Sequence, residues 1–230
     1  MNRINFDFQK NEYSQLVSIT DKFYPLSNLL FRLLDVLYNN KKLEFINFNF
    51  YTDEVFEYIS KNRGIDIRYG IDWNKTIIGF YDVFDFTTFE AKNYNDQKIY
   101  LWEKCHYILS FIANQKQAND LKQAIDEAYK IGLDMNLETN YIMLSQKIEL
   151  NNRVIIAEIW VKFTEFKMEY IFVLNENNSI VFEKTLNIAD VSTKHLFVKY
   201  KKITIDEQNS IVIKQEATTP IKFSVANVLN

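Results

Sequence analysis

From Tyr141 to Val225 apolar and polar residues alternate along the chain, and no other feature constrains the fold as tightly. Ile142, Leu144, Ile148 and Leu150 begin the pattern, and Ile155, Ala157, Ile159, Val161 and Phe163 continue it. It recurs at Met168 to Leu174, Ile180 to Ile188, Leu196 to Tyr200, Ile211 to Ile213 and Ile221 to Val225. Side chains of a strand point to opposite faces in turn, so a period of two describes a sheet with one dry and one wet face. Parallel strands covered on both faces are apolar throughout, so the expected arrangement is an antiparallel, meander-like sheet of about seven strands. Asn151-Asn152, Asn175 to Ser179 and Glu207 to Ser210 supply its turns. Asn tolerates positive φ better than other non-Gly residues, which suits a chain with only four Gly.

The first half mixes periods. Ile4, Phe6 and Phe8 share one side of a short strand, and Leu26 to Leu37 follows helical spacing after Pro25, with Ser27 as N-cap and Asn39-Asn40 as stop. Leu43, Phe45, Phe48 and Phe50 read as a strand whose face slips at Ile46-Asn47. Thr52 or Asp53 caps a helix that ends at Gly64. Strands are expected at Ile65 to Tyr69, Lys75 to Tyr81 and Val83 to Ala91, with Asp72-Trp73-Asn74 as a turn. One helix buries Ile99, Trp102, Cys105, Leu109 and Ile112, and a second buries Leu121 to Ala128 and closes at Gly132. The fold class is therefore α+β: a mixed helix and strand lobe, residues 1–132, packed with an antiparallel β lobe, residues 133–230. No Pro- or Ser-rich linker sharpens that boundary.

Composition excludes several chemistries. Gly64, Gly70, Gly79 and Gly132 stand apart from any phosphate-binding Gly-rich motif, and two His with one Cys cannot build a zinc cage without carboxylates. A net charge of −3 and a pI near 5.6 argue against nucleic acid as a partner. There is no run of the ~18 apolar residues that a membrane span requires, so no membrane partner is expected. The first residues lack an apolar export signal, so a cytoplasmic location is expected. Sixteen per cent aromatic residues, alongside abundant Asn, Lys and Ile, reflect an AT-rich coding bias. Cys105 and His106 are adjacent on a helix and point about 100° apart, so they form no catalytic dyad.

Asp85, Glu90 and Lys92 carry the enzymatic alternative, within Phe84 to Tyr94. Glu90 and Lys92 share one face of the expected strand, with helices before and after it. The order resembles the restriction-endonuclease-like nucleases, in which an Asp and a Glu hold a divalent metal and a Lys orients the attacking water. Across residues 53 to 115 at most, the resemblance implies Mg²⁺ as cofactor and nuclease activity. Two features weigh against it. Four residues between Asp85 and Glu90 leave no room for a turn and a return strand, and a second E-x-K triplet occurs at Glu165-Phe166-Lys167.

Lys194, His195, Lys199, Lys201 and Lys202, interleaved with Phe197 and Tyr200, form a basic cluster that reads as a lysine-protected edge strand. Trp160 is more informative. It shares the polar side of its strand with Glu158 and Lys162, with Lys167 and Glu169 expected opposite, and so presents an indole among charges. Trp73, at the expected hairpin tip, is the second exposed-indole candidate. Trp160, Glu158, Lys162 and Trp73 are thus the expected binding residues, because Trp buries much area with few rotatable bonds. The leading expectation is a non-catalytic, cofactor-free bacterial protein that binds a protein partner, such as a toxin met by an immunity protein or antitoxin.

Overall fold

Ile4, Phe6 and Phe8 fall on one side of β1 (Arg3–Asn11) and are buried, while the residues between them are half-exposed. That alternation starts the first of two compact units, Met1–Thr139 and Asn140–Asn230. The computed structural model describes residues 3–11, 14–38, 44–63, 71–74, 76–150, 153–164, 167–191, 200–216 and 219–224. The Asn39-Asn40 stop, Gly64, the strand expected at Ile65 to Tyr69, the Asn151-Asn152 turn, Glu165-Phe166 and Lys194 to Lys199 lie outside that set.

In the first unit β1 is followed by β2 (Ser14–Gln15), α1 (Val17–Leu37), β3 (Phe45–Tyr51), α2 (Asp53–Arg63), β4 (Ile71–Asn74) and β5 (Ile77–Val83). Helices α3 (Phe86–Glu90), α4 (Tyr94–Gln115) and α5 (Asn119–Asp134) complete it. The sheet order is β2-β1-β3-β5-β4, with β1, β3 and β5 parallel and both edge strands antiparallel. Ile46, Phe48 and Phe50 continue the dry face of β1, and Phe23, Leu26 and Leu30 of α1 cover it. Leu101, Trp102, Cys105 and Leu109 of α4 and Leu121, Ile125 and Ala128 of α5 join the same core. Phe8 alone approaches the rings of Phe23, Phe50, Phe84, Phe86 and Phe89, between 5.1 and 6.4 Å. The phenylalanine richness of the first unit thus fills its interior. On the opposite sheet face α2 packs Val55, Phe56 and Ile59 against Tyr51, Tyr81 and Val83.

Several local expectations are corrected by packing. Pro25 lies inside α1, because the stripe Phe23, Leu26, Leu30, Leu34 extends back to Ile19 and its burial outweighs the ~3 kcal/mol cost of an interior proline. Ser27 therefore caps nothing, and its hydroxyl donates to the Tyr24 carbonyl at 2.9 Å. β3 has no face slip, since Ile46, Phe48 and Phe50 are all core and Asn47 and Asn49 point the other way. β5 stops at Val83 and residues 86–90 are helical, so the strand expected to reach Ala91 does not form. Asp72-Trp73-Asn74 is strand β4, not a turn. Gly132 lies within α5, and the positive φ values fall at Asn136 and Leu137 instead.

The second unit contains β6 (Tyr141–Leu150), β7 (Arg153–Phe163), β8 (Lys167–Glu176), β9 (Ser179–Asp190), β10 (Tyr200–Ile205), β11 (Ser210–Gln215) and β12 (Ile221–Ser224). All their pairings are antiparallel, and the α+β class holds. The single seven-stranded sheet does not. The strands form a four-stranded meander, β6-β7-β8-β9, and a three-stranded one, β10-β11-β12. A dry face needs a cover, and the second sheet supplies it: Phe223 stacks on Phe172 at 5.2 Å and Tyr200 meets Tyr170 at 5.3 Å. Asn177, Asn178 and Asn209 adopt the left-handed conformation at the turns, as the glycine-poor sequence requires.

Candidate partner-binding face

Strand register decides which side chains share the face of the four-stranded sheet opposite the one that the second sheet packs on, a face on which Ile171 and Val173 are buried and Ile142, Ile180 and Ile188 are exposed. Ala157, Ile159 and Val161 of β7 pair with Leu174, Phe172 and Tyr170 of β8 on the covered side. The other side therefore carries Ile156, Glu158, Trp160 and Lys162, paired with Asn175, Val173, Ile171 and Glu169. Lys162 meets Glu169, but Trp160 meets Ile171, whereas Lys167 pairs with Asp190 on β9. On the β6 side the indole is opposite Ile142 and Glu158 is opposite Ser145.

Bulges adjust this face in ways that alternation does not reveal. A register shift between Ile142 and Leu144 turns Ile142 away from the core, onto the side of Trp160. Two further shifts between β8 and β9 put Ile180 and Ile188 on the same face, paired with Asn175 and Glu169. All three isoleucines are exposed, contrary to the expectation that they line the dry side.

At the centre of the face Glu158 is only 8 % exposed. Its Oε2 accepts from Trp160 Nε1 at 3.0 Å and Asn175 Nδ2 at 2.7 Å, and its Oε1 from Ser145 Oγ at 3.4 Å. These neutral donors engage both carboxylate oxygens and fix the indole edge-on to them, leaving the half-buried Trp160 ring against apolar neighbours. Ile142, Ile171, Ser145 and Asn175 were not legible as site residues, because only the pairing brings them to Trp160. Trp73 of β4 is in register with Ile78 of β5, and its side chain lies outside the described set.

No protein-family model, curated protein or solved structure matches this chain.

The residues of the nuclease alternative are placed apart in role. Asp85 is the N-cap of α3, accepting from Thr88 N at 3.0 Å and Thr88 Oγ1 at 2.6 Å, and these bonds hold its carboxyl below the usual range. Glu90 pairs with Lys10 at 2.6 Å, and the Lys92 ammonium lies 5.7 Å from the Tyr100 ring centre. Among the described residues no group of three or more His, Cys, Asp or Glu is placed to hold a metal. His106 Nε2 lies 2.9 Å from Asp126 Oδ1 and its ring stacks on Tyr129, while Cys105 is buried. No described helix is long and apolar enough to cross a membrane.

Proposed function

We propose that this chain is a non-catalytic binding protein that engages a protein partner through the Trp160-bearing face of its four-stranded sheet. One observation carries the reading: the half-buried Trp160 indole has the exposed Ile142 opposite it on β6, and the exposed Ile180 and Ile188 stand on the same side of the sheet at β9, the side away from the one that the second sheet packs on. A half-buried Trp beside exposed aliphatic side chains and charged groups is the composition of an interaction hot spot. A mildly acidic protein of this size suits the role of an immunity protein or antitoxin, with a toxin as the partner. Trp73, in the first unit, is proposed as a separate contact on the strength of its sequence alone.

The test is capture of a defined partner by the tagged full chain, compared across Trp160→Ala, Trp73→Ala and the exposed control Val36→Ala. Expected is at least a tenfold loss with Trp160→Ala, none with Val36→Ala, and melting temperatures within a few degrees. Capture untouched by Trp160→Ala overturns the face. The competing proposal, a Mg²⁺-dependent nuclease using Asp85, Glu90 and Lys92, requires plasmid or RNA cleavage that Glu90→Ala abolishes. Its support is the sequence order alone, since each of the three side chains is engaged in another contact.

A further inference from the structure

Resting on the protein-binding reading, we propose that Glu158 is the counter-charge for an arginine that the partner presents to this face. Every donor to Glu158 is neutral, and it forms no ion pair among the described residues. A carboxylate withdrawn from water without a cation is unfavourable, and one donor supplied by a cation is the contact that would offset its burial. Both oxygens together offer about four acceptor positions. Three are taken, and the 3.4 Å contact from Ser145 leaves Oε1 the less satisfied of the two. The vacancy accepts one N–H, not a two-pronged fork.

The surroundings select the type of cation. Trp160 donates to the same carboxylate, so its ring lies beside the charge, between Ile142 and Ile171 in the register. A guanidinium is weakly hydrated, stacks on indole faces and donates through one arm while stacked, whereas an ammonium keeps a tight hydration shell that this apolar rim would strip. The charge of the face agrees in sign. Glu149, Glu158, Glu169, Glu183 and Asp190 stand on it against Lys147, Lys162 and Lys167, and Lys162 and Lys167 are already opposite Glu169 and Asp190.

The experiment uses the ¹⁵N-labelled full chain and the tripeptide amides acetyl-Val-Arg-Val, acetyl-Val-Lys-Val and acetyl-Val-Glu-Val at low salt. The readout is the indole N–H resonance of Trp160, assigned with Trp160→Phe, with that of buried Trp102 as internal control. Expected is a saturable shift of the Trp160 resonance with the arginine peptide, at least threefold weaker affinity for lysine and at least tenfold weaker for glutamate. Glu158→Gln keeps an acceptor and removes the charge, so it should weaken arginine binding at least tenfold with the melting temperature preserved. A lysine response as strong as the arginine one, or an equal arginine response in Glu158→Gln, overturns the assignment. So does the absence of any saturable shift. If Glu158→Gln fails to fold, the ranking of the three peptides on the wild type decides alone. Peptides that fail while Trp160→Ala still abolishes partner capture sink the arginine and leave the protein-binding reading standing.

Discussion

Trp102 of α4 and Gly132 of α5 approach so closely that a Cβ built on Gly132 would lie 2.3 Å from indole Cζ2 and 2.6 Å from Cε2. The indole is 1 % exposed and its Nε1 donates to the Tyr129 carbonyl at 3.1 Å, so it cannot swing aside without giving up that bond. Glycine is required here by space, within a helix that its lack of a side chain otherwise weakens.

Gly132→Ala should therefore destabilise the protein although alanine is the better helix former by about 1 kcal/mol. An indole that cannot swing aside puts the overpacking cost at the upper end of the usual range, about 2–3 kcal/mol, which leaves a net loss of about 1–2 kcal/mol and a fall in melting temperature of roughly 2–8 °C. Thermal unfolding followed by circular dichroism measures it. The smaller ring of Trp102→Phe should reduce the penalty in the double variant, and an unchanged penalty would refute the contact.

Cys105 is buried in the first-unit core, and burial pushes its thiol well above the ordinary value. Native protein at pH 8 should not react with Ellman's reagent over minutes. In denaturing guanidinium chloride it should release one equivalent of thionitrobenzoate per chain.

Asp206 closes the turn before β11, with Oδ1 accepting from Gln208 N at 3.1 Å and Ser210 N at 2.9 Å and Oδ2 from Lys222 Nζ at 3.0 Å. The Ser210 bond and the lysine hold its carboxyl below the ordinary aspartate value. A depressed folded-state value means that its stabilisation is present above the unfolded-state value and is lost as pH falls through the folded one. Urea midpoints measured from pH 5 downward should drop below about pH 4, and the drop should be shallower in Asp206→Asn. Asp85 with Thr88, and Glu176 with Arg153, have carboxyls shifted in the same direction and contribute to the same acid limb.

At the alkaline end the buried pair Tyr170 and Tyr200 acts in the opposite sense. Burial raises both phenols, Tyr200 to about 12 and Tyr170 further. The unfolded chain ionises first, near pH 10, so stability is complete below that value and declines as pH rises toward the folded-state values. Tyrosinate absorbance at 295 nm and urea midpoints should show the loss between about pH 10 and 12. Tyr200→Phe should flatten it.

Much of the second unit was legible residue by residue. The alternation of Ile155, Ala157, Ile159 and Val161 locates β7 and its buried side, and the asparagines at 177, 178 and 209 mark turns that need positive φ. Glu158, Trp160 and Lys162 do share a face, as their spacing requires. Ile142, Ile180 and Ile188 were misassigned because a bulge inserts one residue and reverses the face beyond it, which costs nothing visible in local sequence.

Strand and helix type follow from local periodicity, since a side chain's direction depends on its own few neighbours. Whether seven strands make one sheet or two depends on the meeting of Phe172 with Phe223 and Tyr170 with Tyr200, residues dozens of positions apart. The same holds for Pro25 inside α1, for Gly132 beneath an indole, and for the carboxylate of Glu158 enclosed by donors from three strands. Each is set by the shape and hydrogen-bonding needs of a distant partner, which a one-dimensional pattern does not encode.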